Sequence, residues 1–177
     1  MKFDKTWTLF LDRDGVINER TPDDYIKRWQ DFVFMPNSLE AIEKLSTVFG
    51  RILVVTNQAG IGKGLMAEDI LKDIHKLMVK AIQIQGGRID EIYFAPDLPL
   101  NASNNRKPGT GMPLKAQKDF SEINFQRSVI VGDSNSDMEM GDRLGMVKVF
   151  IEGKGEDSSI WQPHFRFDSL AAFADIL

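Results

Sequence analysis

The stretch TLFLDRDGVINER (Thr8 to Arg20) sets Asp12 and Asp14 two positions apart directly behind an apolar run, with Gly15 after them. Turn chemistry accounts for such a pair when it stands alone, since Asp accepts local backbone bonds and Gly supplies a positive φ. A second acidic cluster, VGDSNSD, repeats the placement: Asp133 follows another apolar run and Asp137 lies four positions further on. Asp137 fits a helix cap or a first-turn acid, whereas no element needs an acid at Asp133. Carboxylates gathered at strand ends repel one another unless a cation neutralises them. Mg²⁺ suits them, because it takes hard oxygen ligands and typically binds one or two carboxylates together with a phosphate. The chemistry in view is therefore phosphoryl transfer.

Two further motifs supply groups for the phosphate. VVTNQAG places Thr56, Asn57 and Gln58 at the end of an apolar run, although a polar loop leaving any strand reads the same way. NRKPGTGMP carries Arg106 and Lys107 in a loop rich in Gly and Pro, and paired cations are what a phosphate requires. AGIGKG lacks the Walker spacing and reads as turn chemistry facing a substrate. His75 reads as a solvent-facing residue on the polar side of a long helix, and His164 as edge packing beside Trp161 and Phe165. Neither has metal-ligand company. Trp29 and Phe32 stand where they could cover the crevice.

The elements that must position these residues alternate. Strands are expected at Trp7–Leu11, Arg51–Asn57, Ile89–Ala95, Ser128–Asp133 and Met146–Glu152, all short and nearly continuous in apolar residues. Between them, a helix opens after Pro36 with a capping-box pattern at Asn37 and Glu40. A long helix spans AEDILKDIHKLMVKAIQIQ with Ile70, Ile74, Leu77, Met78, Ala81 and Ile82 as its inward stripe. Gly60, Gly62 and Gly64 read as a loop. A shorter helix starts near Pro113, another is closed by Gly145, and a last one follows Asp168-Ser169. Five alternations predict an α/β, Rossmann-like three-layer sandwich with a central parallel sheet. In such sheets ligands bind beyond the carboxyl ends of the strands, where the acids and polar residues fall.

The whole chain sets bounds. At 177 residues, residues 1–177 are expected to form a single domain. Hydrophobic residues at 42% suffice for a core, and a net charge of −4 without a basic tract argues against nucleic-acid or membrane-surface binding. The absence of cysteine excludes disulfides, thiolate zinc sites and cysteine nucleophiles. No signal-peptide pattern and no membrane-spanning run is present, so a cytoplasmic location is expected.

DRDGV, TNQ, RKP and GDSNSD, in that order, resemble the four motifs of the haloacid dehalogenase superfamily of phosphotransferases, across nearly the whole chain. FLDRDGVINE, VVTNQAGIGKG and RKPGTGM are similar to its cap-less branch of D,D-heptose 1,7-bisphosphate and histidinol phosphatases, and DRDGVIN leans towards the heptose enzymes. The resemblance implies an aspartyl-phosphate mechanism with Asp12 as nucleophile and Asp14 as general acid and base. It implies Mg²⁺ held by Asp12, by the backbone carbonyl of Asp14 and by Asp133, with Asp137 behind them or acting through a water. Thr56, Asn57 and Lys107 would stabilise the phosphoryl oxygens, with Gln58 and Arg106 on the substrate. The family usually carries a zinc loop before Arg-Lys-Pro; here its positions read Ala95, Asp97, Ser103 and Asn105, so no zinc is expected. The implied partner is a small-molecule phosphate, with the protein acting as a monomer.

Three alternatives stay open at this point. One is a histidinol-phosphate phosphatase. A second is a polynucleotide 3′-phosphatase, which TNQAGIGKG and RKPGTGM also resemble but which Arg13 and the acidic charge oppose. The third is a non-catalytic phosphosugar-binding protein, which would have little need of Asp14.

Overall fold

The computed structural model describes residues 2–21, 24–153 and 159–177. Six strands form one sheet: β1 (Thr8–Leu11), β2 (Arg51–Asn57), β3 (Glu91–Ala95), β4 (Ser128–Gly132), β5 (Val147–Ile151) and β6 (Phe165–Phe167). Their order is β3-β2-β1-β4-β5-β6, and every pairing is parallel. Leu9 stands level with Ile52 on one side and Val129 on the other, and the first strand shares the middle of the sheet with β4. The chain winds outward from β1 in both directions, which opens a crevice beyond its carboxyl end.

Strand periodicity sends alternate residues to two separate cores. Leu9, Leu11, Ile52, Val54, Val129 and Val131 meet α1 (Ser38–Val48), α3 (Glu68–Gln85) and α6 (Leu170–Asp175). Phe10, Leu53, Val55 and Ile130 face the other way, towards Met112 and Ala116 of α4 (Gly111–Asp119) and Met140 of α5 (Asn135–Leu144). The three-layer α/β sandwich is as expected. Each of these fully buried aliphatic side chains contributes about 1.5–3 kcal/mol on leaving water, and together they fix the strand ends to which the acids are attached.

Several local expectations are corrected. Asn37 does not form the capping box: it lies in the left-handed region at φ 58°, where its side chain makes no cap bond. A capping residue needs extended backbone to turn its oxygen onto the first turn. The inward stripe of α3 is Leu71, Ile74, His75, Met78 and Ile82, while Ile70 and Leu77 are exposed. The helix is rotated relative to its apolar pattern because His75 points in rather than out. Residues Ala59–Gly62 form a short helix, α2, instead of open loop. The sixth strand, Phe165–Phe167, is an edge strand of three residues, too short to carry a period of its own. Trp29 and Phe32 stack at 5.1 Å within the core and do not cover the crevice.

Candidate active site

The crevice is built from strand ends. The β1–β4 ladder runs one residue past β1, with Asp12 N–H donating to Val131 O at 2.9 Å, and this presents the Asp12 carboxylate at the sheet's edge. Asp133 follows β4 at once. Gly15, at φ +89°, brings the loop after Asp12 so close to Asp133 that a Cβ there would fall 1.8 Å from Asp133 Oδ2. Gly132 allows a second close approach, since a Cβ there would lie 2.3 Å from the Asp137 side chain. These two glycines let three acids converge: carboxylate oxygens of Asp12, Asp133 and Asp137 all lie within 4.8 Å of one another.

Lys107 is the central cation. It is 3% exposed, and its Nζ donates to Asp12 Oδ1 at 2.8 Å, Asp137 Oδ1 at 2.7 Å and Val55 O at 2.9 Å. Burial alone would lower its pKa, but Asp12 and Asp137 outweigh that and raise it, so it is charged. The Asn57 amide fixes the loop that brings it in, its Oδ1 accepting from Lys107 N–H at 2.9 Å and its Nδ2 donating to Lys107 O at 3.1 Å.

Both Asp137 oxygens are engaged. Oδ1 takes Lys107, and Oδ2 accepts from Ser134 Oγ at 2.6 Å and Ser134 N–H at 3.2 Å in a capping box that starts α5. Cap and lysine anchor are both its duties. Asp12 differs: Oδ1 accepts from Arg13 N–H at 2.7 Å and from Lys107, while Oδ2 has no such donor among the described residues. Asp133 pairs with Arg20, Nη2 to Oδ1 at 2.6 Å.

This charge arrangement fits a hard cation. Burial raises the pKa of Asp12, and repulsion from Asp137 adds to it; burial also raises Asp133, with Arg20 opposing. Lys107 and Arg20 cannot fully offset three carboxylates. The free Oδ2 of Asp12 together with Asp133 matches the one or two carboxylates that Mg²⁺ ordinarily takes.

Asp14 is held differently. Its Oδ1 accepts from Arg13 Nη2 at 2.8 Å, Arg13 Nε at 3.2 Å and Asn18 Nδ2 at 2.9 Å; its Oδ2 accepts from Arg13 Nη2 at 3.0 Å and Gln58 Nε2 at 2.9 Å. Burial works to raise its pKa, but Arg13's charge and the bonds from Asn18, Arg13 and Gln58 prevail, and it is lowered. Gln58 also donates to Thr56 Oγ1 at 2.9 Å. Gln58 is therefore buried behind Asp14 and is not among the residues that border the cavity, whereas the sequence places it on the substrate.

The cavity above these residues measures about 520 Å³, and Asp12, Asp14, Thr56, Asn57, Arg106 and Lys107 all border it. The motifs from four distant stretches thus meet at one place. Its far wall includes Tyr25, whose ring packs on Gly60 and lies 5.2 Å beneath the Lys63 ammonium. Arg13, Asn18 and Arg20 are site residues beyond those the motifs point to, and His75, expected to face solvent, is instead buried against Arg13. Arg13 offered a signal, as a cation between two acids; His75 offered none, because the partner that draws it inward is distant in sequence.

The loop at the expected zinc positions closes on its own bonds. Ser103 Oγ donates to Asp97 Oδ2 at 2.9 Å and accepts from Asn105 N–H at 3.1 Å, and Arg106 Nη1 donates to Asp97 O at 3.0 Å. Elemental analysis of untagged protein should find zinc far below one per chain. A zinc-selective chelator should leave its melting temperature unchanged; a stoichiometric zinc content would overturn this account of the loop.

Parallel strand ends carrying a buried lysine among carboxylates make an α/β crevice suited to a hard cation and a phosphate. A family model described as polynucleotide kinase 3 phosphatase matches residues 1–159. The D-glycero-beta-D-manno-heptose-1,7-bisphosphate 7-phosphatase of Rhodopseudomonas palustris is 34% identical over 160 residues, covering 86% of this chain and 87% of the relative. A D-glycero-alpha-D-manno-heptose-1,7-bisphosphate 7-phosphatase of Burkholderia mallei is 38% identical over 149 residues, with 80% and 77% covered. Among solved structures, the D,D-heptose 1,7-bisphosphate phosphatase from B. bronchiseptica, complexed with magnesium and phosphate, superposes with a TM-score of 0.86 at 28% identity, covering 99% of this chain and 97% of that one. The chain belongs to the polynucleotide kinase 3 phosphatase family of haloacid dehalogenase-like phosphatases.

Proposed function

We propose that this protein is a Mg²⁺-dependent phosphatase that removes the 7-phosphate from a D-glycero-D-manno-heptose 1,7-bisphosphate through an aspartyl-phosphate on Asp12. The observation that carries the chemistry is the placing of Asp12, its Oδ1 bonded to Lys107 and its Oδ2 open, at the floor of a cavity bordered by Asp14 two residues on. Both named relatives and the B. bronchiseptica neighbour support the substrate. Asp12, the Asp14 backbone carbonyl and Asp133 would hold Mg²⁺, which would neutralise the phosphate charge.

The Asp12 carboxylate attacks phosphorus, and the bond from phosphorus to the sugar oxygen breaks. Lys107 and Thr56 stabilise the phosphoryl oxygens, with Asn57 holding the lysine loop and Arg106 meeting the substrate. Asp14 is ionised in the ligand-free site; a phosphate dianion arriving beside it raises its proton affinity, and the proton it gains passes to the leaving oxygen. Asp14 then takes a proton from water, whose oxygen attacks phosphorus, breaking the bond to Asp12 and releasing phosphate. Asp137 acts through Lys107, and Gln58 and Asn18 hold Asp14.

Asp14→Asn should keep substrate binding and slow turnover of the heptose bisphosphate by at least ~10²-fold. A rate equal to wild type would remove Asp14 from this role. The wider test is phosphate release with Mg²⁺ from both heptose 1,7-bisphosphate anomers, histidinol phosphate, common sugar phosphates and a 3′-phosphorylated oligonucleotide. The oligonucleotide belongs there because the matching family model carries that description, although the net charge of −4 opposes a nucleic-acid ligand. Preference for a heptose bisphosphate supports the proposal; preference for any other member overturns the substrate. No helix among the described residues is long and apolar enough to cross a membrane. The enzyme is proposed to act as a cytoplasmic monomer.

A further inference from the structure

Arg13 grips Asp14 from the adjacent position in the chain, and extended neighbours ordinarily point to opposite sides. Its side chain must therefore fold back, and something must hold it there. Arg13 is 1% exposed, and with Nε and Nη2 committed to Asp14 its remaining terminal nitrogen, Nη1, lies 3.1 Å from Nε2 of His75 on α3. A guanidinium only donates, so Nε2 is the acceptor and His75 carries its proton on Nδ1. Burial, with the adjacent guanidinium's charge, pushes the imidazole down to about 3, which keeps it neutral as this bond requires. Among the described residues Arg13 Nη1 has no other anchor of this kind: Phe32 lies 6.0 Å beneath the guanidinium, and Phe94 packs edge-on against the histidine at 6.1 Å.

The arrangement is costly for a merely structural cluster. Asn18 Oδ1 and Gln58 Oε1 are buried without a hydrogen-bond partner, because both amides turn their nitrogens to Asp14. The local polar groups are thus spent on fixing one carboxylate.

We propose that His75 is a positioning residue for proton transfer: by accepting from Arg13 Nη1 it holds the guanidinium that sets the orientation of both Asp14 oxygens. This rests on the role of Asp14 given above. His75 touches neither substrate nor metal ligands and acts through Arg13.

The test separates leaving groups. Sugar alkoxide needs a proton to depart, whereas p-nitrophenolate does not, so only the first depends on a well-placed Asp14. Single-turnover phosphoryl transfer with Mg²⁺ is measured for heptose 1,7-bisphosphate and for p-nitrophenyl phosphate. His75→Leu removes the acceptor and should slow transfer from the heptose bisphosphate about 10-fold or more at saturation. Its KM and its rate with p-nitrophenyl phosphate should stay within about 2-fold of wild type, a margin below the 10-fold effect sought. His75→Gln, which returns an acceptor oxygen, should recover most of the loss. If the leucine variant does not fold, His75→Asn, whose amide stops one bond short of Nη1, should show the same selective loss. Equal slowing with both phosphates, or no slowing with either in a folded variant, overturns the proposal. Asp14→Asn serves as control: if it shows the selective loss and the His75 variants do not, the histidine inference alone fails. If Asp14→Asn shows none, both readings fall.

Discussion

Asp12→Asn should abolish turnover, by at least roughly 10⁴-fold, while leaving the protein as stable as the wild type or more so. The first half follows from chemistry: an amide in place of the carboxylate cannot form the aspartyl-phosphate. The second half follows from electrostatics. Burial raises the Asp12 pKa and Asp137 raises it further, so the ionised form is disfavoured in the folded protein. An acid whose folded-state pKa is raised binds its proton more tightly folded than unfolded, and stability therefore falls as pH climbs above the ordinary carboxylate value of 3.8. The asparagine variant should lose that part of the fall, and its melting temperature should depend less steeply on pH through the neutral range. Lys107 keeps Asp137 and Val55 O as partners, so no buried charge is orphaned. Mg²⁺ should raise the melting temperature of the wild type by mass action and that of the variant much less. Residual activity near wild type would remove Asp12 as nucleophile, and a large destabilisation would show that its charge is better compensated than the geometry indicates.

The fold and the reacting groups were legible in the sequence for one physical reason. Parallel strands buried on both faces read as continuous apolar runs, and the polar residues ending them stand out against that background, as Asp12, Thr56 and Asp133 do. Their meeting followed from the alternation of strand and helix. What was not legible depends on contacts that no local pattern encodes. His75 lies on a polar-looking helix position, and the partner its imidazole meets inside, Arg13, is 62 residues away. Its inward turn also explains why the apolar stripe of α3 was placed one step off. Gln58 looked like a substrate ligand because it follows Thr56-Asn57, yet the backbone of α2 turns it behind Asp14. Arg20 sits in a loop, where neither spacing nor composition shows that it will reach Asp133, 113 residues on. Long side chains from loops and helix faces close the site, and their targets are set by tertiary placement alone.

Lys107→Met should damage both stability and activity, and the two losses should respond differently to rescue. The ammonium joins Asp12, Asp137 and Val55 O in a buried centre. Methionine fills a similar volume but leaves adjacent buried carboxylates without a counter-charge, which costs about 3–5 kcal/mol when one partner of a buried pair is removed. Phosphoryl transfer should also slow by roughly 10²–10³-fold, the ordinary effect of deleting a fixed charge that stabilises the transferring group. Lys107 opposes the rise in the Asp12 pKa, so without the lysine that pKa moves further upward. The destabilisation should therefore be greatest at neutral and higher pH and shrink as the pH falls and Asp12 takes up its proton. Mg²⁺ should restore part of the stability by supplying charge to Asp12 and Asp133. Adding Asp137→Asn to Lys107→Met removes one uncompensated acid while keeping an oxygen that can accept from Ser134 in the cap, so this double variant should recover a substantial share of the lost stability. It should recover none of the activity, since nothing replaces the cation at the phosphoryl oxygens. Denaturant melts of wild type and both variants, with and without Mg²⁺, read the first effect, and single-turnover rates read the second. A Lys107→Met protein as stable as wild type at neutral pH without Mg²⁺ would mean that the lysine does not hold these acids together; recovery of activity in the double variant would mean that its charge acts only through the fold.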